Sequence, residues 1–177
     1  MSIRTPSSES FSLRRATADD SAGILECLSS AFAPFRESYS ERGFVDTILT
    51  PETINDRLQE MVVFIAVQRG RIIGTIGCKV NESEGHLRGM AVRPEWQGSS
   101  VGTELLALAE QEIYNAGCST ITLDTTEPLK RERCDFTRSM AFGLLGRLTI
   151  SSACHCLNIV NRLGESKSIT QVASWHV

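Results

Sequence analysis

A run of small residues ahead of an amphipathic segment is the feature of this sequence that most clearly indicates chemistry. It reads RPEWQGSSVGTELLALAEQ and covers Arg93–Gln111. A helix is predicted to begin within this run, because apolar residues then recur at helical spacing, namely Val101, Leu105, Leu108, Ala109 and Ile113. The first amide groups of a helix lack partners within it, and the helix dipole adds positive potential at that end. Small side chains let an anion approach closely, so the turn is predicted to hold a phosphate group.

Two common phosphate motifs do not fit this turn. A P-loop requires lysine and then serine or threonine after its second glycine, but Gly102 is followed by Thr103 and Glu104. A dinucleotide fingerprint requires three spaced glycines in a parallel unit, and only Gly98 and Gly102 are present here. The turn follows HLRGMAV, a predicted strand at His86–Val92, so a phosphorylated molecule would lie beside a strand edge.

The elements before that strand are predicted from periodicity and capping residues. FSLRRAT is a first strand, and Thr17 with Asp20 forms a plausible helix cap. The following helix ends at Pro34, and the segment PFRESYSERGF is a loop or partly helical. A second helix begins at Thr50 and Pro51. Two helices are thus expected after the first strand.

The remaining elements predict a mixed sheet. Strands at Val62–Val67 and Arg71–Val80 are joined by Gln68, Arg69 and Gly70, which favours a hairpin. A third strand is His86–Val92, and TITLDT at Thr120–Thr125 follows the helix. A crossover helix makes the last two strands parallel. The expected fold class is α/β, with a mostly antiparallel sheet flanked by helices and one parallel pair around the helix at the small-residue turn.

Composition limits the classes of function. The 177 residues, 41% of them hydrophobic, predict a single domain over residues 11–177 after a flexible tail over residues 1–10. The net charge of -3 gives no basic footprint for nucleic acid, and no run of about 18 apolar residues predicts a membrane span. The first ten residues lack the apolar core of a signal peptide. We therefore expect a cytoplasmic protein in which the six cysteines are reduced.

The segment MAVRPEWQGSSVG resembles the acetyl-coenzyme A signature of the GCN5-related N-acetyltransferase (GNAT) family. That signature is QxxGxG or RxxGxG after a strand that ends in a V-x-P-like segment. Gln97 and Gly102 match it, whereas Ser100 replaces the first glycine and can offer a hydroxyl to a phosphate oxygen. The resemblance covers Phe11–Thr125 and includes the order of the predicted elements.

The resemblance implies a cofactor site built mostly from backbone. Amides of the turn would hold the pyrophosphate, and the preceding strand would pair with the pantetheine arm and the thioester. The N–H of Met90 would stabilise the oxyanion formed during acetyl transfer to a primary amine, by direct attack in a ternary complex. The implied cofactor residues are Met90, Ala91, Val92, Gln97, Gly98, Ser99, Ser100, Val101, Gly102 and Thr103.

Acetyl transfer requires a base, because the acceptor amine is protonated at neutral pH and must lose a proton, directly or through water. Glu84 and His86, at the start of the strand, are the candidates beside ordered water; a solvated carboxylate and an edge-strand imidazole are the alternative interpretation. Four residues lie where this family closes over its acceptor, and they could determine which acceptor is bound. An ordinary surface loop is an equally good interpretation of the same residues. They are Phe35, Arg36, Glu37 and Tyr39.

The sequence after about Arg131 departs from the family pattern. The family continues with a helix similar to FYEKxGF, whose tyrosine often protonates the departing thiolate, whereas this chain has Thr137 at that place. A coenzyme A binding module without catalysis is therefore the alternative function. Cys154, His155 and Cys156 lack a second spaced pair of ligands, so no metal site is predicted.

A change of reading frame near Arg131 accounts for the unusual tail, residues 131–177. With permitted codons, Arg131 to Asn158 read one base back encodes RALRFYEKHGFRASGEIDDFFGMPLLEY, which contains the family element. Sequencing the coding DNA tests this hypothesis, since a gene without that alternative frame would end it. The tail itself shows no clear strand pair. If it leaves the Thr120–Thr125 strand with an exposed edge, association into a homodimer is favoured.

Overall fold

The computed structural model describes residues 10–126, 148–151 and 156–162, in which one mixed sheet is flanked by helices. The strand order is β1-β2-β3-β4-β5-β7-β6, and every neighbouring pair is antiparallel except β4 and β5. This confirms the predicted fold class. The strands are β1 Ser12–Arg15, β2 Val62–Gln68, β3 Arg71–Asn81, β4 Glu84–Val92, β5 Thr120–Thr126, β6 Leu148–Ser151 and β7 Cys156–Arg162; the helices are α1 Ser21–Phe32, α2 Glu41–Ile48, α3 Pro51–Glu60 and α4 Val101–Asn115.

Three α-helices, not two, lie between β1 and β2. The additional one is α2, which falls in the segment predicted as a loop or partly helical. It begins because the Ser40 hydroxyl accepts a hydrogen bond from the Gly43 amide at 3.2 Å, a cap that satisfies one free donor. The Thr50 hydroxyl likewise accepts from the Thr53 amide at 3.3 Å and begins α3, as predicted.

The β2–β3 hairpin turns at Arg69 and Gly70. Both residues have positive φ, +48° and +76°. This is the conformation of the turn that matches the twist of paired strands, and glycine adopts it without a steric cost. The hairpin predicted at these residues is therefore confirmed, and it brings β3 into the centre of the sheet beside β4.

The two faces of the sheet have separate cores. α4 covers one face, where Leu105 and Ile113 pack against β2, β3 and β4. A Cβ at Gly85 would overlap the Ile113 side chain, so the glycine is what lets α4 lie so close to β4. The helices α1 and α3 cover the other face, with Ile24 and Ile54 fully buried. Each face of β4 is thereby fixed against a helix.

The tail contributes two described strands, which corrects the expectation that it holds no clear strand pair. β7 pairs antiparallel with the whole of β5, and β6 pairs with β7. Since an open strand edge offers unpaired amide and carbonyl groups, tertiary context can recruit short segments that carry a weak pattern of their own. The edge of β5 is covered, so the homodimer remains a prediction without that support. Thr137, Cys154 and His155 lie outside the described residues.

Candidate active site

β4 and β5 form a parallel pair along only part of their length. Residues Glu84–Leu87 of β4 lie opposite Thr120–Leu123 of β5. Beyond Leu87, β4 has no partner strand on that edge among the described residues, while the last residues of β5 continue their pairing with β7. The two strands therefore leave a gap beside the second half of β4.

The backbone of Met90 faces this gap. The Arg93 amide donates to the Ile73 carbonyl of β3 at 2.9 Å, on the opposite edge of β4. Because backbone groups alternate between the edges of a strand, Val92 and Met90 direct theirs away from β3. The Gln97 side-chain amide donates to the Val92 carbonyl at 3.1 Å and closes one end of the gap.

The small-residue turn beyond the gap offers free amide donors. A short 3₁₀ helix at Pro94–Trp96 leads into it, and Gly98 has φ +79°, which favours glycine. α4 then begins at Val101. Four backbone amides in this stretch of six residues have no hydrogen-bond acceptor within the part of the chain that the structure describes. They are those of Gly98, Ser100, Gly102 and Thr103.

Not every amide from Gln97 to Thr103 is free, in contrast to what the resemblance implied. The Gln97 amide donates to the Pro94 carbonyl at 3.2 Å, and the Ser99 amide to the Trp96 carbonyl at 3.3 Å. The Val101 amide donates to the Ser99 hydroxyl at 3.4 Å. These three bonds hold the turn in shape, so the turn itself fixes the direction of the remaining donors.

The Ser100 hydroxyl has a partner of its own. It donates to Oε1 of Glu104 at 2.7 Å, one turn further along α4. In this arrangement it is not available to a phosphate oxygen. The bond also holds a carboxylate close to the end of the helix where an anion is expected.

The side chains in the second half of β4, beside the gap, pack into the core. Val92 packs on the α4 side and Ala91 on the α1 side, both buried, and Met90 is partly buried against the α4 side. Their side chains anchor β4, while the backbone lies at the gap. This agrees with a role for the Met90 amide.

The two candidate bases are joined by a residue that the sequence analysis missed. The Thr122 hydroxyl donates to Oε1 of Glu84 at 3.0 Å and lies 2.9 Å from Nδ1 of His86. Thr122 is buried in β5, directly opposite His86 in the parallel register. The alternation of TITLDT placed this threonine on one face, but only the register brings it to His86.

This chain of hydrogen bonds assigns the imidazole tautomer. An ionised carboxylate only accepts, so the single hydroxyl proton of Thr122 is committed to Glu84. The hydroxyl oxygen must then accept from Nδ1–H of His86. In neutral His86 the lone pair therefore lies on Nε2.

Glu84 and His86 lie at the paired end of β4, away from the Met90 amide. His86 and Met90 are four positions apart along the strand, about 13 Å at the usual rise per residue. A proton that leaves an amine beside Met90 would reach His86 through water. The structure thus brings Glu84 and His86 together, and it separates them from the small-residue turn at the start of α4.

The residues predicted to contact the acceptor lie at the corner between α1 and α2. Phe35, Arg36 and Glu37 belong to the 3₁₀ helix Ala33–Ser38, and Tyr39 follows it. The Arg36 guanidinium lies 4.8 Å from the centre of the Phe44 ring, and the Tyr39 ring meets the same ring edge-on at 6.0 Å. Phe35 packs against the core, whereas Arg36 and Glu37 are exposed.

Arg93 is a buried cation that supports the turn, and sequence reasoning missed it. The residue is 1% exposed, and its Nε donates to the Ile72 carbonyl at 2.7 Å. Its Nη2 lies 3.0 Å from Oε1 of Glu26 in α1, although the angle is too poor for a hydrogen bond. Arg93 thereby ties the end of β4 to β3 and α1.

Two negative findings apply to the described residues only. No group of three or more histidine, cysteine, aspartate or glutamate side chains lies close enough there to hold a metal ion. No helix in the same part of the chain is long and apolar enough to cross a bilayer.

Several solved structures share this fold. The PaiA N-acetyltransferase of Thermoplasma acidophilum, solved with coenzyme A, aligns with a TM-score of 0.71 and 16% identity, over 86% of this chain and 99% of that one. A GNAT-family acetyltransferase of Brucella melitensis, solved with acetyl-CoA, aligns with a TM-score of 0.60 and 17% identity, over 94% and 97%. A GNAT-family acetyltransferase of Staphylococcus aureus Mu50 aligns with a TM-score of 0.68 and 14% identity, over 88% and 100%.

No curated protein matches the chain. The model of the acetyltransferase (GNAT) family, however, matches residues 24–142, which is more than half of the sequence. The fold agrees with that match, since the sheet is mostly antiparallel with one parallel pair, β4 and β5, and is flanked by helices. This chain therefore belongs to the GNAT family of acetyltransferases.

Proposed function

We propose that this enzyme transfers an acetyl group from acetyl-CoA to a primary amine by direct attack in a ternary complex. The observation that carries the proposal is the gap beside Met90, which leads to free amides at the start of α4. Two proteins of the same fold were solved with coenzyme A or acetyl-CoA. A site of this shape suits a long molecule with a pyrophosphate at one end and a thioester at the other.

The pyrophosphate would lie on the turn. The amides of Gly98, Ser100, Gly102 and Thr103 would donate to it, and the dipole of α4 would favour its negative charge. The pantetheine arm would extend along the gap and pair with the β4 backbone in place of a strand. The thioester carbonyl would then accept from the Met90 amide.

The reaction follows from that placement. The lone pair of the neutral amine attacks the thioester carbonyl carbon, and the carbonyl oxygen becomes an oxyanion that the Met90 amide stabilises. Water passes the amine proton to Nε2 of His86, while Glu84 stabilises the resulting imidazolium through Thr122. The C–S bond breaks, the amide is released, and the thiolate of coenzyme A takes a proton from water.

A thiol-release assay with a panel of primary amines tests the proposal. Turnover of at least one amine, together with coenzyme A binding in calorimetry, is expected. A non-catalytic coenzyme A binding module is the second candidate, because Thr137 stands where the family has its tyrosine. Binding without turnover on any amine would favour the module, and absence of coenzyme A binding would contradict both.

We further propose a cytoplasmic location, supported by three cysteines whose side chains the structure describes. Cys27, Cys78 and Cys118 are all free and buried, as expected of thiols in a reducing compartment. Labelling of the denatured protein with a thiol reagent, after isolation under conditions that block exchange, would find these cysteines reduced.

A further inference from the structure

The guanidinium of Arg57 lies beside Gly89, the residue that precedes Met90. Arg57 belongs to α3, and its Nη1 lies only 2.8 Å from where a Cβ of residue 89 would be. Gly89 has φ +66°, sits in the irregular part of the β3–β4 ladder and directly precedes Met90. The absent side chain is therefore what admits the Arg57 side chain to this face of β4.

Two neighbouring cations are already paired with carboxylates, whereas Arg57 has no such pair among the residues that the structure describes. Arg88 donates to Asp46 at 2.7 Å, and Lys79 donates to Glu60 at 3.0 Å. Within the described ranges, Arg57 makes no hydrogen bond or ion pair through its side chain. It nevertheless lies partly buried. None of its nitrogens is both fully buried and unbonded, so its N–H groups reach solvent and can donate to an anion that binds there.

Arg57 remains charged in this environment. Burial lowers the pKa of its guanidinium to about 10, the positive charge of Arg88 adds to that effect, and Asp46 and Glu60 oppose it. Since that pKa is well above neutrality, the group is a cation under ordinary conditions. It is poised to bind an anion.

We propose that Arg57 binds a carboxylate of the acceptor, so that the substrates are small amino acids whose amine and carboxylate are a few bonds apart. The inference rests on the proposed function, because it assumes that the acceptor amine reaches the thioester at Met90. A guanidinium beside Gly89 would hold a carboxylate through two parallel hydrogen bonds. The amine on the same molecule is then directed towards the next residue, Met90.

The covering of this face supports a small acceptor. The helices α1 and α3 pack on the same side of the sheet as Arg57, and Asp46 of α2 is held there by Arg88. Asp46 also lines a cleft of about 570 Å³ between α2 and α3, together with Glu41, Arg42, Val45 and Thr53. A free amino acid has one carboxylate for Arg57 and one amine for the thioester.

Matched substrates test the inference. Each amino acid is compared with its carboxamide, which keeps the amine and loses the negative charge. In the native enzyme, kcat/KM for the acid should exceed that for the carboxamide by about 10- to 100-fold, as expected for a charge-assisted pair. Arg57→Gln should abolish this preference through KM, and it should leave coenzyme A affinity and kcat on the carboxamide unchanged. Arg57→Lys should retain part of the preference.

Calorimetry separates failure of this inference from failure of the proposed function. N-acetylated amino acids and their carboxamides are titrated into the coenzyme A complex of the native protein and of Arg57→Gln. Tighter binding of the acid, lost in Arg57→Gln, supports the carboxylate site even if no amine is turned over. Equal affinity for acid and carboxamide, or a preference that Arg57→Gln leaves intact, overturns it. A thermal unfolding curve of Arg57→Gln that matches the native protein excludes a folding defect.

Discussion

In the proposed mechanism, the two ends of β4 have different roles. At the first end, Glu84 and His86 would act through side chains, and their geometry depends on Thr122 in the neighbouring strand. At the second end, Met90 and the turn after it would act through backbone amides, while the Met90 side chain packs against the core. Strand pairing closes the first end, whereas among the described residues no strand pairs with that edge of β4 beyond Leu87.

This difference explains which parts of the site tolerate substitution. Backbone donors survive a change of side chain as long as the turn keeps its shape, so Ser100 can replace the family glycine. A hydrogen-bonded chain of side chains fails when one member changes. Variation at the first end should therefore alter turnover, and variation at the second end should alter cofactor affinity.

Loss of the imidazole should have the largest effect. His86→Ala removes the base, so kcat is expected to fall by about 100-fold or more, within the usual range for general-base catalysis. Coenzyme A affinity, measured by calorimetry, should not change. Thr122→Val should lower kcat less, and Thr122→Ser, which keeps the hydroxyl, should remain near the native value. An unchanged kcat in His86→Ala would remove side-chain chemistry from the first end of β4.

A glycine pair tests the second end of β4. Gly98 and Gly70 both have positive φ, and a Cβ at either position would meet no atom within 4 Å. Alanine should therefore strain both turns by about 1–2 kcal/mol. Only Gly98→Ala should also weaken coenzyme A binding, by about 10-fold, since 1.4 kcal/mol corresponds to a factor of ten. Equal coenzyme A affinity in the two variants, measured by calorimetry, would contradict the assignment of the turn.

A bulky residue at Gly102 should weaken coenzyme A binding in the same way, because this buried glycine is the second residue of α4 and its amide has no acceptor among the described residues. The fold should be largely retained, as checked by circular dichroism and thermal unfolding. Coenzyme A affinity that stays unchanged in a folded Gly102→Leu variant would argue against the turn as the pyrophosphate site.

Restoring the family glycine should have a smaller effect. Ser100→Gly removes the bond that holds the Glu104 carboxylate near the start of α4. Coenzyme A affinity is expected to rise only a few-fold, because the amide donors are already present. Glu104→Gln should act in the same direction, and calorimetry at two salt concentrations measures both. Weaker binding in both variants would show that the serine and glutamate support the turn.

The smallest effect on turnover and coenzyme A binding is expected at Glu110 of α4, which has no role in the proposed site. Burial raises the pKa of Glu110 from 4.5 to about 7. The folded protein thus holds this proton more tightly than the unfolded chain, and the free energy of unfolding should fall as pH rises from 4.5 to 7 and then level off. Glu110→Gln should remove this component and leave coenzyme A affinity and kcat unchanged. Urea unfolding at pH 5 and pH 8 measures the difference, and an identical pH dependence in the variant would contradict it.

Much of the fold was predictable because its signals are local. The spacing from Val101 predicted α4, the Arg69 and Gly70 turn predicted the hairpin, and both follow from the conformations that neighbouring residues allow. The segment of α2 was predicted only as a loop or partly helical, although its apolar residues Phe44, Ile48 and Leu49 follow the Ser40 cap at helical spacing. The strands of the tail have weak patterns, and they form where the edge of β5 offers partners.

By itself, the sequence determined the turn at the start of α4, since small residues, a glycine with positive φ and helical spacing act over a few residues. The sequence also placed Glu84 and His86 at the start of one predicted strand, His86–Val92, whereas β4 begins at Glu84 itself. Tertiary structure was needed to show that Thr122 joins them and that Arg57 lies against Gly89. It also showed that β4 and β5 pair only as far as Leu87, so that among the described residues no strand covers the Met90 amide. These outcomes depend on strand register and helix packing between segments that are distant in the chain, and no local pattern encodes them.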